Sequence, residues 1–373
     1  MTTPINVLVT GAGGFIAKNL TVRLGEAQGE FVTHGVTRNT TGEELEGMVR
    51  RCDIVVHLAG INRPDNEREF ATGNVDFTTH LLDLLETHGA RPVLFSSSIQ
   101  AAQDNPYGRS KLEAEVLLAE YSQRTGATTA AYRLPNVFGK WCRPDYNSAV
   151  ATFCDRVARH QPITIRDASA PLHLLYIDDL VDHLIQDVRT VLAGGSPRLD
   201  VAPVYPTTVG ALAAEIEGFA DIHSSKDIPR TGSGLTRALY ATYLTHLDPS
   251  DFAFPLTLHV DPRGAFSEML RTADSGQFSF FTAKPGVTRG GHYHHTKNEK
   301  FLVVRGSALF RFKQIATGET YELATSDQQP LVVKTIPGWA HDITNVGNEE
   351  MIVMLWANEA FDRDRPDTFA HPL

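Results

Sequence analysis

The chain has 373 residues, which at about 150 residues per domain makes room for two domains or three. Hydrophobic residues are 42% and charged residues 21% of it, a balance that excludes a disordered tail, a collagen-like chain or a disulfide-rich miniprotein. The net charge of -10, with a pI near 5.8, lacks the basic footprint of a nucleic-acid binder, although a local pocket of opposite sign can still receive a small anion. No apolar run reaches the roughly 18 residues of a spanning helix. Met1–Val9 has no basic region followed by a long apolar stretch, so no secretory signal is read there. A cytoplasmic protein without membrane or nucleic-acid partners is expected. Cys52, Cys142 and Cys154 are odd in number and fit no metal spacing, so they are expected as reduced thiols.

In chain order, strand-like runs at Ile5–Thr10, Phe31–Val36, Asp53–Leu58 and Val93–Ser97 alternate with helical patterns at Ile16–Leu24, Thr78–Glu86 and Ser110–Gln123. That alternation predicts a doubly wound α/β domain with a parallel sheet. Asp248-Pro249-Ser250-Asp251 reads as a linker. Beyond it lie short runs at Gln277–Phe281, Lys300–Val304, Ala308–Phe312, Leu331–Ile336 and Met351–Trp356, and no long helical pattern. These predict an all-β sandwich or barrel. The expected domains are therefore 1–247 and 252–373.

Thr10-Gly11-Ala12-Gly13-Gly14-Phe15-Ile16-Ala17 follows the first strand and opens the first helix. A pyrophosphate needs close backbone approach and free N–H groups at a helix start, and Gly11 and Gly14 remove the side chains in its way. After the second strand the chain reads Gly35-Val36-Thr37-Arg38-Asn39, with no acid for a ribose diol. A guanidinium at Arg38 suits a 2′-phosphate and favours NADPH over NADH. Tyr107 and Lys111, four apart on a helix, share a face; an ammonium there can lower a phenol pKa and let it exchange a proton near neutrality.

The glycine turn resembles the fingerprint of extended short-chain dehydrogenases/reductases, with Ala17 where a third glycine is usual. His57-Leu58-Ala59-Gly60, Asn74, Ser96-Ser97-Ser98, Tyr107-Gly108-Arg109-Ser110-Lys111, Arg133-Leu134-Pro135-Asn136 and Leu175-Tyr176-Ile177-Asp178-Asp179-Leu180 resemble later segments of the same family. The resemblance implies that Tyr107 donates a proton, Lys111 grips the nicotinamide ribose and tunes Tyr107, and Ser98 polarises the substrate carbonyl. It implies a cofactor surface of Gly11, Gly14, Phe15, Ile16, Arg38, Leu58, Ala59, Ser96, Leu134 and Asn136, with Tyr107 and Lys111. The interval from Ser98 to Tyr107 is shorter than in many members.

Gly286, His292, His294, Glu299 and Gly306 form Gly-x5-His-x-His-x4-Glu-x6-Gly, which resembles the first motif of the cupin family. Pro337-Gly338-Trp339-Ala340-His341 resembles the second, with Pro-Gly in place of Pro-x-Gly. Strand residues two apart point the same way, so His292 and His294 converge. Glu299 and His341 complete a set that suits zinc, manganese, iron, nickel or copper; zinc, redox-inert and imidazole-loving, is expected. His295 should point away.

The union of the two motif sets, with Ser96 to Ala101, Asp104 to Gly108, Gly286 to Gly290 and His294 to Lys300, resembles the CapF-type bifunctional enzymes of capsular polysaccharide synthesis. That resemblance implies a UDP-2-acetamido-2,6-dideoxy-4-hexulose as substrate, epimerised at C3 by the cupin and reduced at C4 with NADPH. The product would be UDP-2-acetamido-2,6-dideoxy-L-talose, on the route to UDP-N-acetyl-L-fucosamine. Candidates for the C3 base are Tyr293, His295 and Lys297. Alternatives are a reductase with a structural, dimerising cupin, an NAD-dependent epimerase or dehydratase, and a cofactor sensor. Edge strands of a cupin favour pairing, so a homodimer or larger homo-oligomer is expected.

Overall fold

The computed structural model describes residues 3–64, 66–220, 227–255, 259–261, 264–266, 271–272, 276–359 and 364–373. Internal packing divides the chain into two units. One comprises residues 1–138, 146–148 and 172–206; the other comprises 139–145, 149–171 and 207–373.

In the first unit, β1 (Ile5–Thr10), β2 (Phe31–Val36), β3 (Ile54–His57), β4 (Val93–Ser98) and β5 (Thr129–Leu134) form a parallel sheet in the order β2-β1-β3-β4-β5. Val7–Val9, Ile54–Val56 and Val93–Phe95 are buried without interruption, as strands covered on both faces require. One cover is built from α2 (Gly42–Val49), α4 (Phe77–His88) and α5 (Pro106–Thr125). Their Leu45, Val49, Leu81, Leu85, Leu118 and Tyr121 pack on Leu8, Val55, Val93 and Phe95. On α1 (Phe15–Glu26) Arg23 pairs with Asp182 of α7 (Ile177–Leu192). A short α3 (Arg68–Phe70) leads through a π-helical stretch, Ala71–Asp76, into α4. The sheet order reverses between β1 and β3, and such a reversal opens a ligand crevice at the strands' carboxyl ends. β6 (Asn136–Phe138), β7 (Pro171–Tyr176) and β8 (Val204–Thr208) form a separate three-stranded sheet.

The apolar pattern places the start of α5 at Ser110, but the helix begins one turn earlier. Asn105 caps it by accepting from the Gly108 amide at 2.8 Å, and Pro106 takes the first position. Proline is welcome there because its missing N–H would be unpaired anyway. The extra turn brings Tyr107 into the helix.

The second unit combines α6 (Ala149–Ala158), α8 (Val209–Glu217) and α9 (Gly234–Leu244) with mainly antiparallel sheets. β9 (Asp227–Ile228) pairs in parallel with β13 (Arg271–Thr272), and β11 (His259–Asp261) pairs antiparallel with β12 (Gly264–Phe266). One five-stranded sheet runs β10-β19-β16-β21-β14: Ala253–Pro255, Leu331–Lys334, Glu299–Arg305, Met351–Ala357 and Gln277–Ala283. The other runs β18-β17-β20-β15-β22: Thr320–Ser326, Ser307–Gln314, Trp339–Asn345, Thr288–Tyr293 and Phe369–Ala370. Phe301, Val303, Phe310, Phe312, Ile343 and Val353 are among its buried core residues. The expected linker is a packed single turn, Pro249–Phe252, whose Phe252 ring meets Trp339 edge-on at 5.1 Å. Cys52 and Cys154 are buried, Cys142 is half-buried and all three are free thiols.

Lys300 of β16 and Lys334 of β19 are cross-strand partners and both are buried. The Lys300 ammonium lies 3.4 Å from the Tyr240 hydroxyl and 4.8 Å from the centre of the Trp356 ring. Burial pushes both lysines down to about 7. Between that value and the unfolded value of about 10.4 the unfolded chain binds more protons, so stability should rise with pH. Each lysine can contribute a slope of up to about 1.4 kcal/mol per pH unit. Urea unfolding at pH 7, 8 and 9 should therefore show a rising stability that Lys300→Met flattens; an unchanged slope in the variant would refute the assignment to Lys300.

Candidate active sites

The crevice at β1 and β3 is set by a chain of buried hydrogen bonds. Thr10 Oγ1 accepts from the Leu58 and Ala59 amides at 3.1 and 3.0 Å and lies 2.7 Å from His57 Nδ1. His57 Nε2 is 2.9 Å from Thr78 Oγ1, whose hydroxyl donates to the Asn74 carbonyl at 2.6 Å. These partners assign the proton to Nε2 and leave Nδ1 to accept from Thr10. Burial pushes His57 down to about 3, with the Lys111 charge adding to it, so the ring is neutral.

The lock presses Leu58 and Ala59 against the glycine turn. Gly11 has φ +67°, and a Cβ there would stand 2.8 Å from Ala59 Cα. Gly14 donates its amide to the Gly11 carbonyl at 2.7 Å and occupies the N-cap of α1 without a side chain to cap it. Phe15 and Ile16 follow, so the first helical N–H groups are left without side-chain caps, as an anion site at a helix start requires. Arg38 is exposed on the turn after β2, beyond the Val36 carbonyl that accepts from Ala12 at 2.9 Å.

Further along the sheet, β4 and α5 bring Ser98, Tyr107 and Lys111 together. Buried Lys111 donates to the Ser96 carbonyl at 2.8 Å, 4.6 Å from the centre of the Phe95 ring. Asn74, in the π-helical stretch, accepts from the Ile61 amide at 2.6 Å and donates to Ser110 Oγ at 2.9 Å, which braces the start of α5. Leu134 stands beside Ser98 in register, and Asn136 follows on β6. Burial raises the Tyr107 phenol, and a hydrogen bond with Ser98 opposes that rise. Burial lowers Lys111 to about 8, opposed by Glu115. The expected lowering of the phenol by Lys111 is not seen here: the ammonium is turned to the Ser96 carbonyl, and Ser98 is the group that acts on Tyr107.

The second cluster lies in the all-β unit. His292 is on β15, His294 just beyond it, Glu299 begins β16 and His341 is on β20. Their ligating atoms all lie within 4.8 Å of one another. A bulge between Gly290 and His292 sets the register that places His292 opposite His341. Glu299 Oε2 is 3.2 Å from His294 Nε2 and 3.4 Å from His341 Nε2. His294 Nδ1 donates to the Asp367 carbonyl at 2.5 Å, which leaves Nε2 as a lone pair in the neutral ring. His341 Nε2 is buried with no hydrogen-bond partner. His292 is pushed down to about 3 by burial and the neighbouring imidazoles, and His341 is lowered for the same reasons. Despite burial, Glu299 is held well below the usual carboxylate range by His294 and His341. Despite burial, Glu299 and Asp367 push His294 up, so a cation would displace a proton there; with His292 and His341 held neutral, an ionised carboxylate and an orphaned nitrogen, the set fits a divalent cation.

Of the three base candidates, Tyr293 and His295 pack on the Phe369 ring at 5.6 and 5.0 Å, while the Lys297 ammonium lies 3.7 Å from Glu299 Oε1. Asp367 was not legible in the sequence. Its carboxylate accepts from the amides of His295, Thr296 and Lys297 at 2.9, 2.8 and 2.7 Å and from the Thr296 hydroxyl at 3.0 Å. It therefore holds residues His295 to Lys297 of the loop between His294 and Glu299, while the Asn298 amide donates to Asn358 Oδ1 at 2.9 Å. Asp367 lies far along the chain from that loop, and no spacing rule links the two.

Residues 7–199 match the NAD dependent epimerase/dehydratase family, and residues 259–369 match the polysaccharide biosynthesis C-terminal domain. The chain belongs to the NAD dependent epimerase/dehydratase family. A Pseudomonas aeruginosa relative, UDP-2-acetamido-2,6-beta-L-arabino-hexul-4-ose reductase, is 50% identical over 367 residues, 98% of each chain. The crystal structure of the capsular polysaccharide assembling protein CapF from Staphylococcus aureus matches with a TM-score of 0.66 and 40% identity, over 99% of this chain and 100% of that one. A Bacillus cereus UDP-glucuronic acid 4-epimerase in complex with NAD shares the fold over 65% of this chain and 98% of its own, with a TM-score of 0.53 and 17% identity. This family member is thus a nicotinamide-dependent oxidoreductase of the CapF type, with a polysaccharide biosynthesis C-terminal domain. Among the described residues, no helix is long and apolar enough to cross a membrane.

Removing the Asp367 carboxylate should loosen the ligand loop. Asp367→Ala is expected to weaken zinc binding about 10- to 100-fold, read by competition with a chromogenic chelator. Wild-type affinity in that variant would mean that the loop needs no brace.

Proposed function

We propose that the chain performs two consecutive steps on a UDP-2-acetamido-2,6-dideoxy-4-hexulose. Residues 252–373 epimerise C3, and residues 1–247 then reduce the C4 ketone with NADPH to give UDP-2-acetamido-2,6-dideoxy-L-talose, a precursor of UDP-N-acetyl-L-fucosamine for surface polysaccharide. The observation that carries the reading is the coexistence of the Ser98–Tyr107–Lys111 group and the four-donor cluster in one chain. The likeness to the Pseudomonas aeruginosa UDP-2-acetamido-2,6-beta-L-arabino-hexul-4-ose reductase supports the reduction step. We read the enzyme as cytoplasmic and as a homodimer or larger homo-oligomer.

In the reductase, Gly11, Gly14, Phe15, Ile16, Leu58 and Ala59 would hold NADPH and Arg38 its 2′-phosphate, and the bound cofactor would supply the hydride. Ser98 donates a hydrogen bond to the C4 carbonyl and orients it. Tyr107 gives its phenolic proton to the C4 oxygen as C4 gains the hydride. Lys111 would hold the nicotinamide ribose and keeps a positive charge one helical turn from Tyr107.

In the other unit, His292, His294, Glu299 and His341 would hold a divalent cation, zinc in this reading, and that cation would supply Lewis acidity to the C4 carbonyl oxygen. Lys297, the basic side chain that faces the ligands, is placed to hold or move a proton near them. A C3 proton lies α to the C4 ketone, so its removal is chemically accessible only before reduction.

The test is NMR of the 4-keto substrate in D2O with purified enzyme and no NADPH. Deuterium should enter C3. Tyr107→Phe should abolish NADPH oxidation and spare exchange, and His292→Ala should lose exchange and metal while still binding NADPH. NADPH oxidation without any C3 exchange would make the cupin structural and sink the two-step reading.

A further inference from the structure

We propose that Glu115 is a positioning residue of the reductase site, one that fixes the serine triplet against α5 and supplies the counter-charge of Lys111. The proposal rests on the reading of Tyr107 and Lys111 as the reacting pair.

Tyr107, Lys111 and Glu115 are spaced four apart on α5, so they lie on one face of the helix, a turn apart. Each is tied to a different serine at the end of β4. Tyr107 bonds Ser98, Lys111 donates to the Ser96 carbonyl at 2.8 Å, and the Ser97 hydroxyl donates to the Glu115 carboxylate. Glu115 also receives a two-pronged bond from Arg133 of β5, with Nε at 3.0 Å from Oε1 and Nη2 at 2.7 Å from Oε2. Its side chain is 14% exposed against 47% for Arg133, so the carboxylate is the inner member of that pair. One carboxylate therefore joins α5, β4 and β5 immediately before Leu134 and Asn136.

The charge matters as much as the clamp. Burial disfavours the charged form of Lys111, and Glu115 is the group that opposes it. Around Lys111 stand His57 of β3, Tyr107 and Glu115 of its own helix, and Arg133 of β5, held by Glu115. His57 is neutral and Arg133 is a cation, so Glu115 is the anion of this set among the described residues. Removing its charge lowers the pKa of Lys111, so the alkaline limit that loss of the Lys111 charge sets on reduction moves toward neutral pH.

Glu115→Gln tests this, because the amide oxygen can still accept from Ser97 and Arg133 while the charge is gone. The readout is kcat and KM for NADPH-dependent reduction of the 4-keto sugar from pH 6 to 10, with thermal unfolding recorded alongside. The alkaline limb of kcat is expected to move down by about one pH unit, making turnover beyond the limb about tenfold slower. KM for the sugar should hold, and Glu115→Asp should return the limb toward wild type. A limb that stays in place, or a loss of kcat equal at every pH with a lowered melting temperature, overturns the proposal and leaves Glu115 a clamp. Tyr107→Phe separates the two levels. If it still oxidises NADPH, the reading of Tyr107 fails; if it is inactive while the Glu115→Gln limb is unmoved, this inference alone fails.

Discussion

A charge taken out of water costs several kcal/mol unless other groups meet it, and both chemical centres of this chain are built around one such charge. In the parallel-sheet unit it is Lys111, in the all-β unit Glu299. Lys111 has the Ser96 carbonyl, the Phe95 face and the Glu115 carboxylate. Glu299 has two imidazoles on one oxygen and the Lys297 ammonium beside the other. In each case the partners come from several elements, so meeting the charge requires those elements to arrive in register. The polar residues of the two interiors thus act as constraints on the fold as well as on the chemistry.

The fold was largely legible because its strands are of two distinguishable kinds. Unbroken apolar runs such as Ile54–Val56 belong to a sheet covered on both sides, while β17, Ser307–Gln314, alternates buried and half-buried residues along its length. The ends of elements were less legible. Pro106 and Gly108 read as helix breakers, yet the Asn105 cap turns both into the first turn of α5. A cap is a geometric fact before it is a compositional one. The linker at Asp248–Asp251 was read from its turn residues, but it is Phe252 that seats it, through a packing partner that lies far along the chain.

The centres were legible where their residues are close in sequence. Gly11 and Gly14, Tyr107 and Lys111, and His292, His294 and Glu299 each form a short, spaced group, and each group lies together in the structure. What supports them was not legible. Asp367 and Glu115 act through contacts set by tertiary register, and nothing in their local sequence distinguishes them from a surface acid. His57 shows the same limit from the other side. It sits in a recognisable segment, but its neutral state follows only from seeing that Thr10 and Thr78 use up both ring nitrogens.

The proposed chemistry gives a reason for housing two such centres in one chain. The C3 proton is acidic only while C4 is a ketone, so epimerisation is reversible and must precede reduction. Hydride transfer with a proton from Tyr107 removes the ketone and with it the path back. An epimerase alone would leave a mixture at equilibrium; a reductase alone would act on whichever epimer reached it. With both in one polypeptide, the amount of reductase always matches the amount of epimerase. The first centre can then interconvert epimers freely while the second withdraws one of them. On this view the two centres call for opposite electrostatics. Glu299 and its imidazoles would present an anionic carboxylate to a cation, whereas Lys111 places a cation on the Ser96 carbonyl, one helical turn from Tyr107. Each needs a dry surrounding to act strongly, and one pocket lined for both would let the carboxylate and the ammonium neutralise each other. Two separately folded clusters avoid that cancellation.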